Sequence, residues 1–182
     1  MFYKKHKGLN EVVTITPNKI IDSRGYFFES YKENLFKQNC GNYNFVQENQ
    51  SFSGIGTLRG LHYQLFKPQG KLVSVIDGEI FDVAVDIRKS SSSFGSWTHE
   101  YLSAAKNNQL WIPPGFAHGF LVLSSSAIVS YKCTEYYYPE GDRSILWNDP
   151  YISIKWPNIT SQYNLSLKDK NAVYFKNAEV FD

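Results

Sequence analysis

The segment KLVSVIDGEIFDVAVDIR, residues 71–88, decides the fold. Its alternation of apolar and polar residues is typical of β-strands, in which successive side chains point to opposite faces. The Asp77-Gly78 pair predicts a two-residue hairpin turn, which would pair Val73 with Asp82 and bring Lys71 onto the Asp82 face. One face would then be apolar, and the other would carry a lysine and carboxylates. A small β-barrel or sandwich with a polar interior would produce this pattern, and so would a hairpin whose polar face meets water.

Polar side chains recur at alternate positions of other strand-like segments. Gln47, Asn49 and Ser51 share one face of residues 45–51, and His62 and Gln64 share one face of residues 60–64. Amide and imidazole groups at this spacing indicate a polar pocket inside an all-β framework. A helix is predicted near residues 31–38 and a second, short one after residue 166, so the fold class is all-β with a few short helices.

The composition fits one globular domain spanning residues 1–182. The net charge is only +2, with Lys and Arg spread along the chain, which argues against a nucleic-acid-binding face. Two cysteines give neither a disulfide framework nor a metal-binding spacing, and they fit a reducing compartment. The N-terminus lacks the apolar core of a signal peptide, and no apolar run is long enough for a bilayer. We therefore expect a cytoplasmic protein without membrane partners.

The proline-glycine turn that leads into His118 resembles the second motif of cupins, which are jelly-roll barrels. In metal-binding cupins this histidine joins a His-x-His pair and a Glu on the metal. Here the corresponding first motif is His62-Tyr63-Gln64, without the second histidine. Two imidazoles are too few for a typical catalytic metal site, so we predict none.

Eight short motifs follow one another along almost the full length of the chain. They are residues 22–29 (DSRGYFFE), 47–49 (QEN), 58–64 (LRGLHYQ), 78–88 (GEIFDVAVDIR), 113–120 (PPGFAHGF), 131–137 (YKCTEYY), 147–150 (WNDP) and 165–169 (LSLKD). Each motif is weak alone, but in this order and spacing the chain resembles the dTDP-4-dehydrorhamnose 3,5-epimerase family. This resemblance implies a cupin-like double-stranded β-helix, that is, a jelly-roll barrel.

The reaction implied by the resemblance inverts carbons beside the ketone of a nucleotide-linked 4-keto-6-deoxy sugar and needs no cofactor. It requires a base, a group that stabilises the enolate oxygen, and an acid on the opposite face. By resemblance, His62 is the base and Asp169 pairs with it. Lys71 is the cation near the ketone and pyrophosphate, and Tyr131 is the acid.

The resemblance also implies the residues that bind the substrate. Arg59 and Lys168 would hold the pyrophosphate, and Gln47, Asn49 and His118 would line the sugar and phosphate region. Arg24 and Glu29 match residues that reach the nucleotide from a neighbouring subunit, which implies a homodimer with exchanged N-terminal strands.

Three positions depart from the family pattern in what we expect to be one loop near the nucleotide. Asp142 replaces a Glu, Ser144 replaces a Gly, and Tyr138 replaces a small residue. Asp142 remains a candidate substrate-binding residue, but the nucleotide could be dTDP or GDP, the sugar a hexose or heptose, and the inversion at C3, C5 or both. The expected role is in surface polysaccharide synthesis, such as capsule or lipopolysaccharide.

Other functions stay open. A related cupin activity is the 3,4-ketoisomerase reaction, although those proteins do not normally carry the Leu-Ser-x-Lys-Asp element of residues 165–169. A non-catalytic sugar-binding cupin is disfavoured by the intact set of His62, Tyr131 and Asp169. A metal-dependent oxygenase would lack ligands.

Overall fold

The computed structural model describes all residues, 1–182, and consists mainly of short β-strands. The strands are β1 (Phe2–His6), β2 (Leu9–Thr16), β3 (Ile20–Asp22), β4 (Gly25–Phe27), β5 (Gln47–Gly54), β6 (Leu58–Gln64), β7 (Lys71–Asp77), β8 (Glu79–Asp86), β9 (Trp97–Ser103), β10 (Gln109–Ile112), β11 (Phe116–Val122), β12 (Ser126–Cys133) and β13 (Asp142–Ser144). The helices are α1 (Glu33–Cys40) and α2 (Leu167–Lys170), with 3-10 turns at Pro139–Gly141 and Phe175–Asn177.

Two antiparallel sheets face each other and form the barrel. The first has the order β1-β2-β10-β7-β12-β5, and the second has the order β13-β6-β11-β8-β9. The strands β3 and β4 form a separate two-stranded hairpin. The expectation of an all-β, cupin-like jelly roll with few helices is confirmed.

Apolar side chains form three cores, because both faces of each large sheet are partly covered. The first core lies between the two sheets and contains Val73, Ala84 and Val129. The second packs the outer face of the five-stranded sheet against the C-terminal segment. The third packs the outer face of the six-stranded sheet against Phe36 of α1. Alternate residues of β8 therefore enter different cores, as the sequence pattern predicts.

The predicted hairpin at Asp77-Gly78 is wrong. Strand β7 pairs with β10 and β12, whereas β8 pairs with β11 and β9, so the chain crosses from one sheet to the other at Gly78. Gly78 has a φ of +83°, and a Cβ there would lie 2.1 Å from the Ser126 carbonyl oxygen. Strand β8 is an interior strand of its sheet, with β11 on one edge and β9 on the other, so no edge is left for β7.

The two predicted helices exist, and α2 follows Ser166 as expected. Helix α1 begins two residues after the predicted start. Helix α2 is capped by Ser166, whose hydroxyl oxygen accepts from the Asp169 N–H at 3.1 Å. No helix of the structure has the length and apolar composition needed to cross a bilayer.

Candidate active site

A cleft of about 180 Å³ opens at one end of the barrel and is lined mainly by polar side chains. Seven residues that the sequence singled out line it, and the catalytic and binding candidates are mixed among them. They are Gln47, Asn49, His62, Lys71, Tyr131, Asp142 and Lys168.

Strand β12 organises one wall of the cleft. Tyr131 stands opposite Asn49 of β5, and Cys133 stands opposite Gln47 of β5 and Lys71 of β7. Directly opposed residues of neighbouring strands share a face, and so do alternate residues of one strand. The register of the six-stranded sheet therefore gathers the phenol, the ammonium group and the two amides on one surface.

His62 stands on the other wall, on β6 of the five-stranded sheet. Its Nε2 lies 2.5 Å from Oδ1 of the buried Asp169, whose Oδ2 accepts a hydrogen bond from the Ser166 hydroxyl at 2.7 Å. Burial lowers the pKa of His62, although the carboxylate opposes this effect. Burial acts to raise the pKa of Asp169, but hydrogen bonds from His62 and Ser166 outweigh it and the pKa is lowered. The pair is therefore a neutral imidazole beside an ionised carboxylate, the state that a proton acceptor needs.

Burial shifts the pKa values of both Tyr131 and Lys71. Burial raises the pKa of the Tyr131 phenol, while nearby Asn49 and Arg59 act in the opposite direction. Burial also lowers the pKa of Lys71, with Cys133, Asp142 and Asp82 opposing it. The phenol is thus a protonated donor. Within the described structure, the Lys71 ammonium group makes no hydrogen bond to protein, so it can interact with an oxygen in the cleft.

The mouth of the cleft is crossed by a group of three side chains. Oδ2 of Asp142 lies 2.5 Å from Nζ of Lys168 and accepts from the Tyr137 hydroxyl at 3.2 Å. Asp142 and Ser144 belong to β13, which pairs with β6, rather than to the expected loop. In this pairing, Ser144 stands opposite His62 and Asp142 stands opposite Gln64, so one of the three departures lies directly beside His62.

His118 and Arg59 lie next to the cleft but are not part of its lining. His118 is directly opposite His62 on β11, and its Nε2 is 2.9 Å and 3.1 Å from the two oxygens of Asp82. Arg59 donates to the Ser53 hydroxyl at 3.0 Å. A shift in register between His118 and Phe120 turns this end of β6, so simple alternation does not predict where these side chains point.

Arg24 and Glu29 lie away from the cleft of their own chain. The Arg24 side chain is 88% exposed and pairs with Asp22 at 2.6 Å. Glu29 pairs with Lys32 at 3.1 Å. Arg24 belongs to the turn of the exposed β3–β4 hairpin, so neither residue completes this site within one chain.

Sequence reasoning left four lining residues out of the candidate set. They are Tyr63, Gln64, Gln69 and Tyr137. The alternation of residues 60–64 already placed Gln64 on the His62 face, whereas nothing local to Gln69 or Tyr137 indicates which way a loop side chain points. No cluster of three or more His, Cys, Asp or Glu side chains suited to a metal ion occurs in the described chain.

Comparisons with known proteins lead to one family. The model of the family described as dTDP-4-dehydrorhamnose 3,5-epimerase matches residues 6–177. A dTDP-4-dehydrorhamnose 3,5-epimerase from Methanothermobacter thermautotrophicus is 52% identical over 165 residues, which cover 90% of this chain and 89% of the relative. One from Pseudomonas aeruginosa is 49% identical over 175 residues, which cover 96% of each chain.

The fold comparison leads to the same family. The crystal structure of dTDP-6-deoxy-D-glucose-3,5-epimerase from Legionella pneumophila, in complex with dTDP-4-keto-L-rhamnose, is 46% identical with a TM-score of 0.94. The match covers 98% of this chain and 94% of that one. With its cupin-type barrel and with sequence identity near one half to several members, the chain belongs to the dTDP-4-dehydrorhamnose 3,5-epimerase family of isomerases.

Proposed function

We propose that the chain inverts C3 and C5 of a dTDP-linked 4-keto-6-deoxyhexose by proton abstraction and return through an enolate. The observation that carries this proposal is the position of His62 and Tyr131 on opposite sheets, lining one cleft. An acid and a base on opposite sides of a sugar ring can remove a proton from one face and return it to the other.

Side chains of the cleft can account for each proton that is transferred in this reaction. Neutral His62 donates from Nε2 to Asp169 and takes the C–H proton on Nδ1, while the bonding electrons form the enolate with the C4 oxygen. The charge of Lys71 stabilises that oxygen. Tyr131 then delivers its hydroxyl proton to the opposite face of the carbon and the C4 ketone is restored. Solvent recharges the phenol and takes the proton from the imidazolium.

The nucleotide end of the substrate would leave the cleft past Lys168. An ammonium group there suits a pyrophosphate. Arg59, the second expected pyrophosphate ligand, lies near the start of β6 and donates to Ser53. The dTDP group is the nucleotide of the ligand bound in the Legionella relative. GDP remains the alternative nucleotide, because Asp142 is one methylene shorter than the Glu of the family pattern and changes the mouth.

A homodimer is part of this proposal. The β3–β4 hairpin exposes large apolar side chains on both of its faces, with Ile21 77% and Phe27 66% exposed. Exposed apolar surface of this kind is typical of a protein–protein contact. In a dimer with exchanged N-terminal segments, this hairpin would be covered, and Arg24 and Glu29 of each chain would reach the other chain's nucleotide.

Deuterium labelling tests the reaction directly. The protein is incubated in deuterated water with dTDP-linked or GDP-linked 4-keto-6-deoxyhexose, and label is followed at each carbon by NMR, with His62→Asn as the inactive control. We expect label at C3 and C5 with the dTDP substrate. Label at C3 alone would show a restricted epimerase, and a ketone moved to C3 would show the ketoisomerase. No exchange with either nucleotide would favour a sugar-binding protein.

A further inference from the structure

We propose that Gln64 is a positioning residue, whose side-chain amide fixes the main chain of residues 136–138 as the wall that receives the nucleotide end of the substrate. This inference rests on the proposed function and adds to it the part of the protein that sets nucleotide affinity. Gln64 lies two positions beyond His62, on the same face of β6.

The Gln64 amide uses both ends on main-chain groups. Its Oε1 accepts from the Tyr138 N–H at 2.8 Å. Its Nε2 donates to the carbonyl oxygens of Tyr136 at 3.0 Å and Lys67 at 2.6 Å. The side chain is buried, at 5% exposure, so water cannot replace these bonds easily. One amide thus ties the end of β6 both to the following loop and to the segment beyond β12.

The segment that Gln64 holds has no secondary structure of its own. Strand β12 ends at Cys133, and Glu135, Tyr136 and Tyr137 make no backbone–backbone hydrogen bond. Glutamine side chains replace those bonds. Gln47 accepts from the Tyr137 N–H at 2.8 Å, and Gln69 donates to the Glu135 carbonyl oxygen at 2.8 Å. We call Gln47, Gln64 and Gln69 the glutamine clasp.

Within the clasp, Gln64 makes two hydrogen bonds to the main chain of residues 136–138, whereas Gln47 and Gln69 each make one to the main chain of residues 135–137. Lys67 also stabilises this segment, because its ammonium group lies 5.0 Å from the centre of the Tyr138 ring. Gly141 packs against the same side chain, and a Cβ there would lie 3.1 Å from Cγ of Gln64. Because the backbone around the amide is this close, the amide has little freedom to find other partners.

The clasp places an aromatic side chain at the mouth of the cleft. The Tyr137 ring is 56% exposed and lines the cleft, while its hydroxyl bonds to Asp142 beside Lys168. The reacting sugar must lie between His62 and Tyr131, so the diphosphate passes Lys168 and the nucleoside reaches the Tyr137 end. An exposed aromatic ring in a fixed position is suited to stack on a nucleobase.

Fixing this ring before the ligand arrives saves the entropy of ordering a loop on binding. Gln64 therefore acts on nucleotide affinity through Tyr137 and leaves the proton transfers at His62 unchanged. Removal of a buried amide with three main-chain partners is expected to weaken binding about tenfold.

The test compares Gln64→Met, a substitution of similar shape without hydrogen bonds, with Gln109→Met. Gln109 is half-buried and donates only to the Ser74 hydroxyl at 2.8 Å, away from the cleft. Titration with dTDP and steady-state kinetics should give Gln64→Met a Kd and a KM about tenfold higher and a nearly unchanged kcat, the pattern of lost uniform binding. Gln109→Met should match the wild type.

Two further variants separate positioning from general loosening of the fold. In a Tyr137→Ala background, Gln64→Met should add little to the loss of dTDP affinity, because both changes remove the same wall. Gln64→Glu keeps the acceptor for the Tyr138 N–H and lacks the donor. Its dTDP affinity, relative to wild type at each pH, should therefore improve as the pH is lowered and the carboxyl group gains a proton.

Several results would overturn the inference. They are additive losses in the Tyr137→Ala background, a pH-independent affinity of Gln64→Glu, or a fall in kcat with unchanged Kd for dTDP in Gln64→Met. Equal dTDP binding by wild type and Gln64→Met would contradict the proposed role of the clasp and would leave the epimerase proposal unaffected. Failure of the wild type to bind dTDP would contradict both the role of the clasp and the proposed dTDP-sugar epimerase activity.

Discussion

His62 experiences two opposing influences. Burial disfavours its charged form, and Asp169 favours it through a hydrogen bond and its charge. Burial prevails, so the pKa of the imidazole lies below its ordinary value of about 6.5. The acid limb of kcat/KM reports the free enzyme's base. We therefore expect this limb to lie below that value, with kcat/KM independent of pH across the neutral range.

Asp169→Asn should weaken the base and shift its titration. Because Asp169 raises the pKa of His62, its removal should lower that pKa further and move the acid limb of kcat/KM to lower pH. The plateau should also fall by a factor of the order of 10² or more, since the ring loses its orienting partner and the imidazolium its counter-charge. The measurement is the pH profile of deuterium exchange at C3. A limb displaced to higher pH would contradict the assigned pair.

Tyr131→Phe should separate abstraction from return. Exchange at the carbon facing His62 should persist, because the base and Lys71 remain, while inverted product should fall by a factor of the order of 10² or more. Label in recovered substrate and label in product are measured from the same NMR sample, and Tyr101→Phe, on the outer strand β9, is the control. Equal exchange and product in Tyr131→Phe would remove this phenol from the role of acid.

The local pattern of residues predicted which side chains share a face of a strand. It placed Gln47 with Asn49 and His62 with Gln64, and the structure gathers all four at the cleft. It did not predict the positions of Arg59 and His118, because the register shift between β6 and β11 has no signal in the residues themselves. Arg24 and Glu29 cannot be placed from one chain at all, because their proposed role depends on a second subunit.

At the scale of elements, the alternation in residues 71–88 correctly gave two strands and their faces. It did not give their partners. Alternation of apolar and polar residues shows which side chains of a strand share a face. Which strands pair with it is determined by the topology of the whole sheet. The Asp77-Gly78 pair carries a hairpin signal, yet the two edges of β8 are occupied by β11 and β9. Lys71 and Asp82 still face the same interior, because a crossover between opposed sheets also points them inward.

Gly78→Ala should destabilise the barrel without touching the cleft. The residue has a φ of +83°, and a Cβ would lie 2.1 Å from the Ser126 carbonyl oxygen. Backbone strain and overpacking are each of the order of 1–3 kcal/mol, so the free energy of unfolding should fall by at least about 2 kcal/mol. Chemical denaturation measures this change. Gly8→Ala is the matched control, with a φ of +81° and no atom within 4 Å of the added Cβ. Equal losses in both variants would assign the effect to backbone conformation alone.

At the scale of the whole molecule, the base and the acid belong to different sheets, and the β3–β4 hairpin belongs to neither. The cleft is therefore assembled from distant parts of the chain. The family resemblance predicted the jelly-roll barrel, whereas the homodimer and the contact of the partner's hairpin with the nucleotide stay predictions. Composition alone predicted only one β-rich domain with a polar pocket.

Mixing two inactive variants tests the exchanged dimer. Arg24→Ala should bind dTDP substrate poorly, and His62→Asn should bind it without turnover. In a mixed dimer, the chain with His62 receives the intact Arg24 of its partner, so one of the two sites is complete. After subunits are exchanged by dilution and reassociation, kcat/KM should rise well above that of either variant alone, towards half of the wild-type value per mixed dimer. If Arg24 served its own chain, mixing would restore nothing.

Helix α2 is only four residues long, yet two consecutive side chains leave it for opposite ends of the cleft. Lys168 reaches Asp142 at the mouth, and Asp169 reaches His62 inside. Inserting a single residue would rotate the rest of the helix by about 100°, which would turn one of the two groups away. One short turn of helix therefore fixes both the proposed phosphate-binding group and the carboxylate beside the proposed base, so an insertion in this turn should impair both functions together.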